Sequence, residues 1–203
     1  MKHLVALLFA LIPVLGWAQP LPALYNVAGV ASNDRLNIRT APDAGSDIVG
    51  TLAFNRTNVE VIRTDGTGRW GQVNHAEATG WVSMRYLRRL PGQTDRTLPR
   101  PAACFGTEPF WSLDLDPRNG RFHAMGETPQ PLTDRGGAAS SNLIGRFAVG
   151  LTGPAGSHYT AVIRRAACND GMSDRAFGLD VDLLITGAGP ARLYSGCCSL
   201  RPR

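Results

Sequence analysis

The sequence predicts an all-β protein in two units: a small barrel in the first half, and a disulfide-stabilised antiparallel β-barrel or sandwich in the second. Three observations predict it. Apolar residues recur in short alternating runs broken by Gly, Pro and Asn, and no stretch carries a credible helical period. A stretch holding Pro91, Pro99 and Pro101 divides the chain. All four cysteines fall after it. The expected division is residues 1–18 as a signal peptide, 19–89 as the first unit, 90–101 as an extended linker and 102–203 as the second unit.

In the first unit, Leu36-Asn37-Ile38-Arg39 alternates apolar and polar, and Ala41-Pro42-Asp43-Ala44-Gly45 stops it. Apolar segments at 48–52 and 59–62 follow, then the turn Asp65-Gly66-Thr67-Gly68, then segments at 70–73, 80–82 and 84–87. About five brief strands with Gly-rich turns in so short a span read as a small barrel. The motifs Leu36-Asn37-Ile38-Arg39-Thr40-Ala41-Pro42, Gly50-Thr51-Leu52, Arg69-Trp70-Gly71-Gln72-Val73, Gly80-Trp81-Val82 and Tyr86-Leu87 resemble the bacterial SH3-like domain in order and spacing. That resemblance implies a half-open barrel, used in exported proteins to hold cell-wall peptide or to position a neighbouring domain. It does not imply catalysis. Asn37, Arg39, Trp70, Trp81 and Tyr86 are the candidate groove residues. Aromatic rings offer an extended ligand wide contact with little entropy to lose. The competing reading puts Trp81, beside Val82, and Trp70 in the small core.

The second unit opens with Cys104-Phe105-Gly106-Thr107-Glu108-Pro109-Phe110-Trp111. Trp111-Ser112-Leu113-Asp114-Leu115 is an alternating strand, Asn119-Gly120 signals a hairpin turn, and residues 121–125 return. Residues 126–145 lack periodicity and read as a long loop, of the kind that is often functional. Strands are expected at 147–151, 158–163, 177–185 and 191–200, with a polar loop over 168–175, so about six antiparallel strands. The motifs Gly106-Thr107-Glu108-Pro109-Phe110-Trp111-Ser112-Leu113, Cys168-Asn169-Asp170-Gly171-Met172-Ser173-Asp174-Arg175 and Gly196-Cys197-Cys198 resemble an uncharacterised exported bacterial family. In that family Tyr-Pro commonly follows the second motif. Here Ala176-Phe177-Gly178 keeps an aromatic residue and loses the proline.

An even number of cysteines in an exported chain reads as disulfides. A bond between adjacent Cys197 and Cys198 would strain the backbone, so Cys104 and Cys168 are each expected to take one of them. On a strand the adjacent pair faces opposite ways, so the two partners approach from opposite faces. Which goes with which is open. Disulfide formation competes with a cysteine nucleophile served by His123 or His158, and with a zinc site; no paired C-x-x-C supports the latter. No metal or cofactor is expected. Ser173 is not a nucleophile elbow, because Arg175 stands where the second glycine should be. Glu108, Asp170, Asp174 and Arg175 form a possible polar site. Paired carboxylates can do acid–base work across a cleft, but Asp170 before Gly171 also suits a turn cap, and Glu108 suits a partner in Arg175 or a backbone N–H.

Lys2 and His3, an apolar run over 4–15, and small residues at Gly16 and Ala18 match a signal peptide cleaved after Ala18. The run is shorter than the ~20 residues of a membrane span. A periplasmic or secreted location is therefore expected, with no membrane span after cleavage. Lys2 is the only lysine, and the formal net charge of +5 is spread without a basic block, which argues against nucleic-acid binding. The leading expectation is a non-catalytic envelope protein binding peptidoglycan or an exported protein. The alternatives are a cell-wall hydrolase using the carboxylates of the second unit, and an inhibitor or partner-binding protein docking through residues 126–145 or the barrel rim.

Overall fold

The computed structural model describes residues 20–98, 100–187 and 189–201; the signal peptide expected at residues 1–18 lies outside them. The first unit contains β1 (Ala23–Val27), β2 (Arg35–Arg39), β3 (Ile48–Ala53), β4 (Val59–Val61), β5 (Arg63–Thr64), β6 (Trp70–His75), β7 (Ala78–Ser83), a 3-10 turn (Met84–Tyr86) and β8 (Leu87–Arg89). They form two sheets, β4-β1-β8 and β3-β2-β7-β6-β5. Ile62 alone separates β4 from β5, so the chain crosses from one sheet to the other at that buried residue. Leu36, Ile38, Val73 and Val82 point inward with period two and meet Ala23, Tyr25 and Val27 in one core. Gly80 lies directly under the Ile38 methyl, where a Cβ would overlap it.

The second unit is a closed antiparallel barrel of eight strands: β9 (Ala102–Gly106), β10 (Trp111–Leu115), β11 (Asn119–Ala124), β12 (Gln130–Ala139), β13 (Arg146–Thr152), β14 (His158–Cys168), β15 (Phe177–Thr186) and β16 (Arg192–Leu200). Each pairs with the next, and β16 closes on β9. A barrel of eight strands leaves an interior just wide enough for side chains. Here Phe122 fills it, with ring centroids 6.5 Å from Trp111, 5.4 Å from Tyr159 and 5.7 Å from Tyr194. The Trp111 indole packs over Gly106 and Gly196, neither of which has room for a Cβ.

The cysteine pairing follows from strand register. Cys104 and Cys198 are direct partners across the β9–β16 seam; both point into the barrel, and they are bonded. Cys197 therefore points outward, where it bonds Cys168 at the end of β14. No cysteine is left as a thiol. In the chain-entropy account a bridge of this span, a sequence separation of 94, is worth about 4–5 kcal/mol.

Two expectations are corrected. Residues 126–145 are not a long loop: β12 occupies half of them, with a bulge between Asp134 and Gly137. Only Leu132 of that strand is buried, so the sequence shows no alternation. Ladder partners on both sides, β11 and β13, hold it as a strand. The inhibitor reading thereby loses its docking loop. The hairpin after β10 turns at Asp116–Arg118, with Asp116 N–H donating to Asn119 O at 2.9 Å. Asn119 and Gly120 already belong to β11.

The two units share a wall. Ala23, Tyr25 and Val27 of β1 face the first core, whereas Leu24 faces the barrel and belongs to its hydrophobic cluster. Leu90 and Leu98 of the linker pack against the same cluster. The Gln93 side chain brackets Leu24, accepting from its N–H at 2.7 Å and donating to its carbonyl at 2.9 Å. Arg100 forms an ion pair with Asp134. Leu24→Ala should therefore lower barrel stability by about 2–5 kcal/mol although no barrel strand is changed. Urea unfolding followed by far-UV circular dichroism checks it, and unchanged barrel unfolding would mean that β1 adds nothing to that core.

Candidate functional site

Asn37 and Arg39 alternate outward from Leu36 and Ile38 on β2, and Trp70 and Trp81 do the same on β6 and β7. Asn37, Arg39, Trp70 and Tyr86 line one groove of about 380 Å³, closed on its far side by the Gly29–Ala31 turn. Tyr86 passes over Gly29, and the Arg85 guanidinium lies 5.6 Å from the Tyr86 ring centre. Asp65 positions Trp70 by accepting its backbone N–H at 2.9 Å. Trp70 also borders a second hollow, with Pro42, Arg69 and Met84, so it stands as a rib between two stretches of open surface.

Trp81 lies outside this groove and outside the core. The ladder places Arg39 opposite Trp81, Trp81 opposite Gln72, and Gln72 opposite Arg63. The four side chains therefore form a row across one sheet face, with the Arg63 guanidinium 5.3 Å from the Trp81 ring centre. The row leads from the groove to a cleft of about 800 Å³ between the two units. Arg63, Thr64 and Gln72 line one side of it; Arg165, Cys168, Asn169, Asp174, Arg175 and Phe177 line the other.

The four polar residues singled out in the second unit divide. Asp174 and Arg175 line the cleft, and Glu108 and Asp170 do not. Glu108 is exposed, and no ion pair joins it to Arg175 among the described residues. Asp170 caps its own loop: its carboxylate accepts from Met172 N–H at 3.0 Å, Ser173 N–H at 2.9 Å and Ser173 Oγ at 2.8 Å. Partial burial raises the Asp170 carboxyl, but these donors and the Arg175 charge outweigh it and hold the group below the usual carboxylate range. Thr107 Oγ1 donates to Asp170 O at 2.9 Å and so joins the turn before Trp111 to this loop.

Asp174 and Arg175 aside, the residues that bring the two units together at the cleft were missed in the sequence. The Asn74 side chain brackets Ala176, donating to its carbonyl at 2.9 Å and accepting its N–H at 3.0 Å. Asp174 N–H donates to Glu77 O at 3.0 Å, and Arg165 Nη1 donates to Pro22 O at 2.9 Å. Burial, together with the neighbouring Arg89 charge, lowers the Arg165 guanidinium to about 10. Gly178 lets the units close: a Cβ there would come within 2.8 Å of Pro22 Cδ and 3.2 Å of Ile62 O. One signal was available. Polar Glu60 stands inside the apolar segment Val59-Glu60-Val61-Ile62.

Glu60 pairs with Leu24 in the β1–β4 ladder and faces the barrel beside it, where its Oε1 accepts Leu200 N–H at 2.9 Å. Burial pushes the Glu60 carboxyl up to about 7, against the opposing pull of Leu200 N–H, the Arg175 charge and the Ser199 hydroxyl. A carboxyl raised in the folded state keeps its proton there after the unfolded chain has lost it. Stability therefore falls as pH rises from the ordinary value of 4.5 through about 7. The full shift would be worth at most about 3 kcal/mol. Residual water contact at this half-buried residue reduces that to about 1–2 kcal/mol. Glu60→Gln keeps the acceptor for Leu200 N–H and removes the titration. Relative to the variant, the native chain should lose that amount between about pH 5 and pH 8 in urea unfolding; parallel profiles would show that Glu60 does not titrate in this window.

No curated protein and no solved structure matches the chain. Residues 34–88, from just before β2 into β8, match the family model of the bacterial SH3 domain, and the first unit is accordingly an SH3-like domain completed by β1 from outside the matched segment.

Proposed function

We propose that this chain is an exported, non-catalytic envelope protein whose SH3-like unit holds cell-wall peptide in the groove of Asn37, Arg39, Trp70 and Tyr86. The groove carries this reading. It sets two half-buried aromatic side chains beside an amide and a guanidinium on rigid strands. Rings give contact area at low entropic cost, and the polar pair can meet a peptide's carbonyls and carboxylates. A bacterial SH3 domain fits a cell-wall or peptide-binding module. Two disulfides support an oxidising compartment, and with it export and cleavage after Ala18. The barrel interior is filled by its own side chains, which supports a role for the second unit as a platform fixed to the first.

The full chain should be retained on purified peptidoglycan at low salt. Trp70→Ala and Tyr86→Ala should each weaken retention about tenfold or more, as aromatic anchors do. A native chain that washes through would remove this reading, and variants retained like the native chain would move binding away from the groove.

A further inference from the structure

The cleft between the two units is lined by more guanidinium groups than carboxylates. Arg63, Arg165 and Arg175 line it against one carboxylate, Asp174. Arg165 is occupied, donating to Pro22 O and Thr94 O. Arg63 and Arg175 are not. Arg63 uses only Nε, toward Gln72 Oε1 at 2.6 Å. Arg175 makes no side-chain hydrogen bond or ion pair among the described residues, and its Nε is buried without a partner. Glu60 and Asp170 feel the Arg175 charge but do not bond it: Glu60 accepts Leu200 N–H, and Asp170 caps its loop. Each free guanidinium is held over a ring at 5.3 Å, Arg63 over Trp81 and Arg175 over Phe177. Rings that hold a guanidinium plane reduce the freedom it must lose on meeting a ligand.

The remaining walls suit a peptide. Leu21, Ile62 and Phe177 are apolar, and Gln72 and Asn169 offer amides. The β14–β15 register breaks between Arg165 and Cys168, and β13 pairs no further than Arg164. Ala166 and Ala167 thus have no ladder partner among the described residues, and they lie on the cleft wall. The volume, about 800 Å³, lies within the range of ligand sites, roughly 300–1,000 Å³.

We infer that this cleft binds a short acidic peptide, its carboxylate held between Arg63 of the SH3-like unit and Arg175 of the barrel. A planar carboxylate matches a guanidinium fork in a way that a neutral amide does not. The site exists only while the two units are docked, because each supplies one of the two charges. It is separate from the groove at Trp70 and does not depend on the groove's ligand.

Isothermal titration of the full chain at low salt tests it with three probes: acetyl-Ala-Ala-Glu-amide, acetyl-Ala-Ala-Ala with a free carboxylate, and acetyl-Ala-Ala-Ala-amide. The first two present a side-chain and a terminal carboxylate, and the third presents neither. At least one acidic probe should bind about tenfold or more tightly than the neutral one, and added salt should weaken it. Arg63→Gln and Arg175→Gln should each reduce that affinity about tenfold or more. Arg63 is exposed, so its variant keeps the test decisive if the Arg175 variant loosens the fold. Trp70→Ala separates the two sites, since loss at the groove should leave acidic-peptide binding in place. Equal affinity for all three probes, no binding by either acidic probe, native affinity in Arg63→Gln, or displacement by inorganic phosphate at the peptide's own concentration would each overturn the assignment.

Discussion

The sheet β4-β1-β8 is covered on both sides, by the SH3-like core on one and, at Leu24 and Glu60, by the barrel on the other, and the arrangement of the molecule depends on that. A strand with one face on a core and one in water alternates apolar and polar residues. Strand β1 reads Ala-Leu-Tyr-Asn-Val, and four of its five residues are buried. Ala23, Tyr25 and Val27 complete the SH3-like core, while Leu24 enters the hydrophobic cluster of the barrel. Leaving Leu24 in water would forfeit about 1.5–3 kcal/mol. Glu60 shares that face and would have no reason to be raised there if the barrel were elsewhere. The linker follows the same wall rather than spanning open solvent, with Leu90 and Leu98 packed and Gln93 bonded to Leu24.

What the sequence made legible was whatever period two controls. Trp111-Ser112-Leu113-Asp114-Leu115 and the run from Phe177 to Ile185 alternate, and both are barrel strands with the expected face inward. The outward positions of Asn37, Arg39 and Trp70 follow from the same alternation. Strand β12 was not legible because Leu132 is its only buried residue and its bulge carries two glycines. Ring closure, a property of all eight strands, holds it in place. The cysteine pairing needed one fact that spacing does not contain, the register of β16 on β9.

The cleft was illegible for a different reason. Asn74 and Ala176 are 102 residues apart, and Glu60 and Leu200 are 140 apart. No local pattern brings such pairs together. Arg175 was visible as part of a polar loop, but Arg63 was one exposed arginine among many. Only docking turns the two into neighbours of the same space. Asp170, by contrast, is explained within four residues of itself, and the structure gives it the turn role that its place before Gly171 suggests.

The seam between β9 and β16 joins the first strand of the barrel to the last. During synthesis, Ala102–Gly106 leaves the ribosome long before its partner Arg192–Leu200 exists. Until then β9 and β15 both present open edges, which invite pairing with other chains. The last strand supplies the closing ladder, one cysteine of each bridge and the Leu200 N–H that Glu60 accepts. A chain that stops before Arg192 therefore does not lose one-eighth of a barrel. It loses closure, both crosslinks and the bond to Glu60 together, and it keeps two sticky edges in their place.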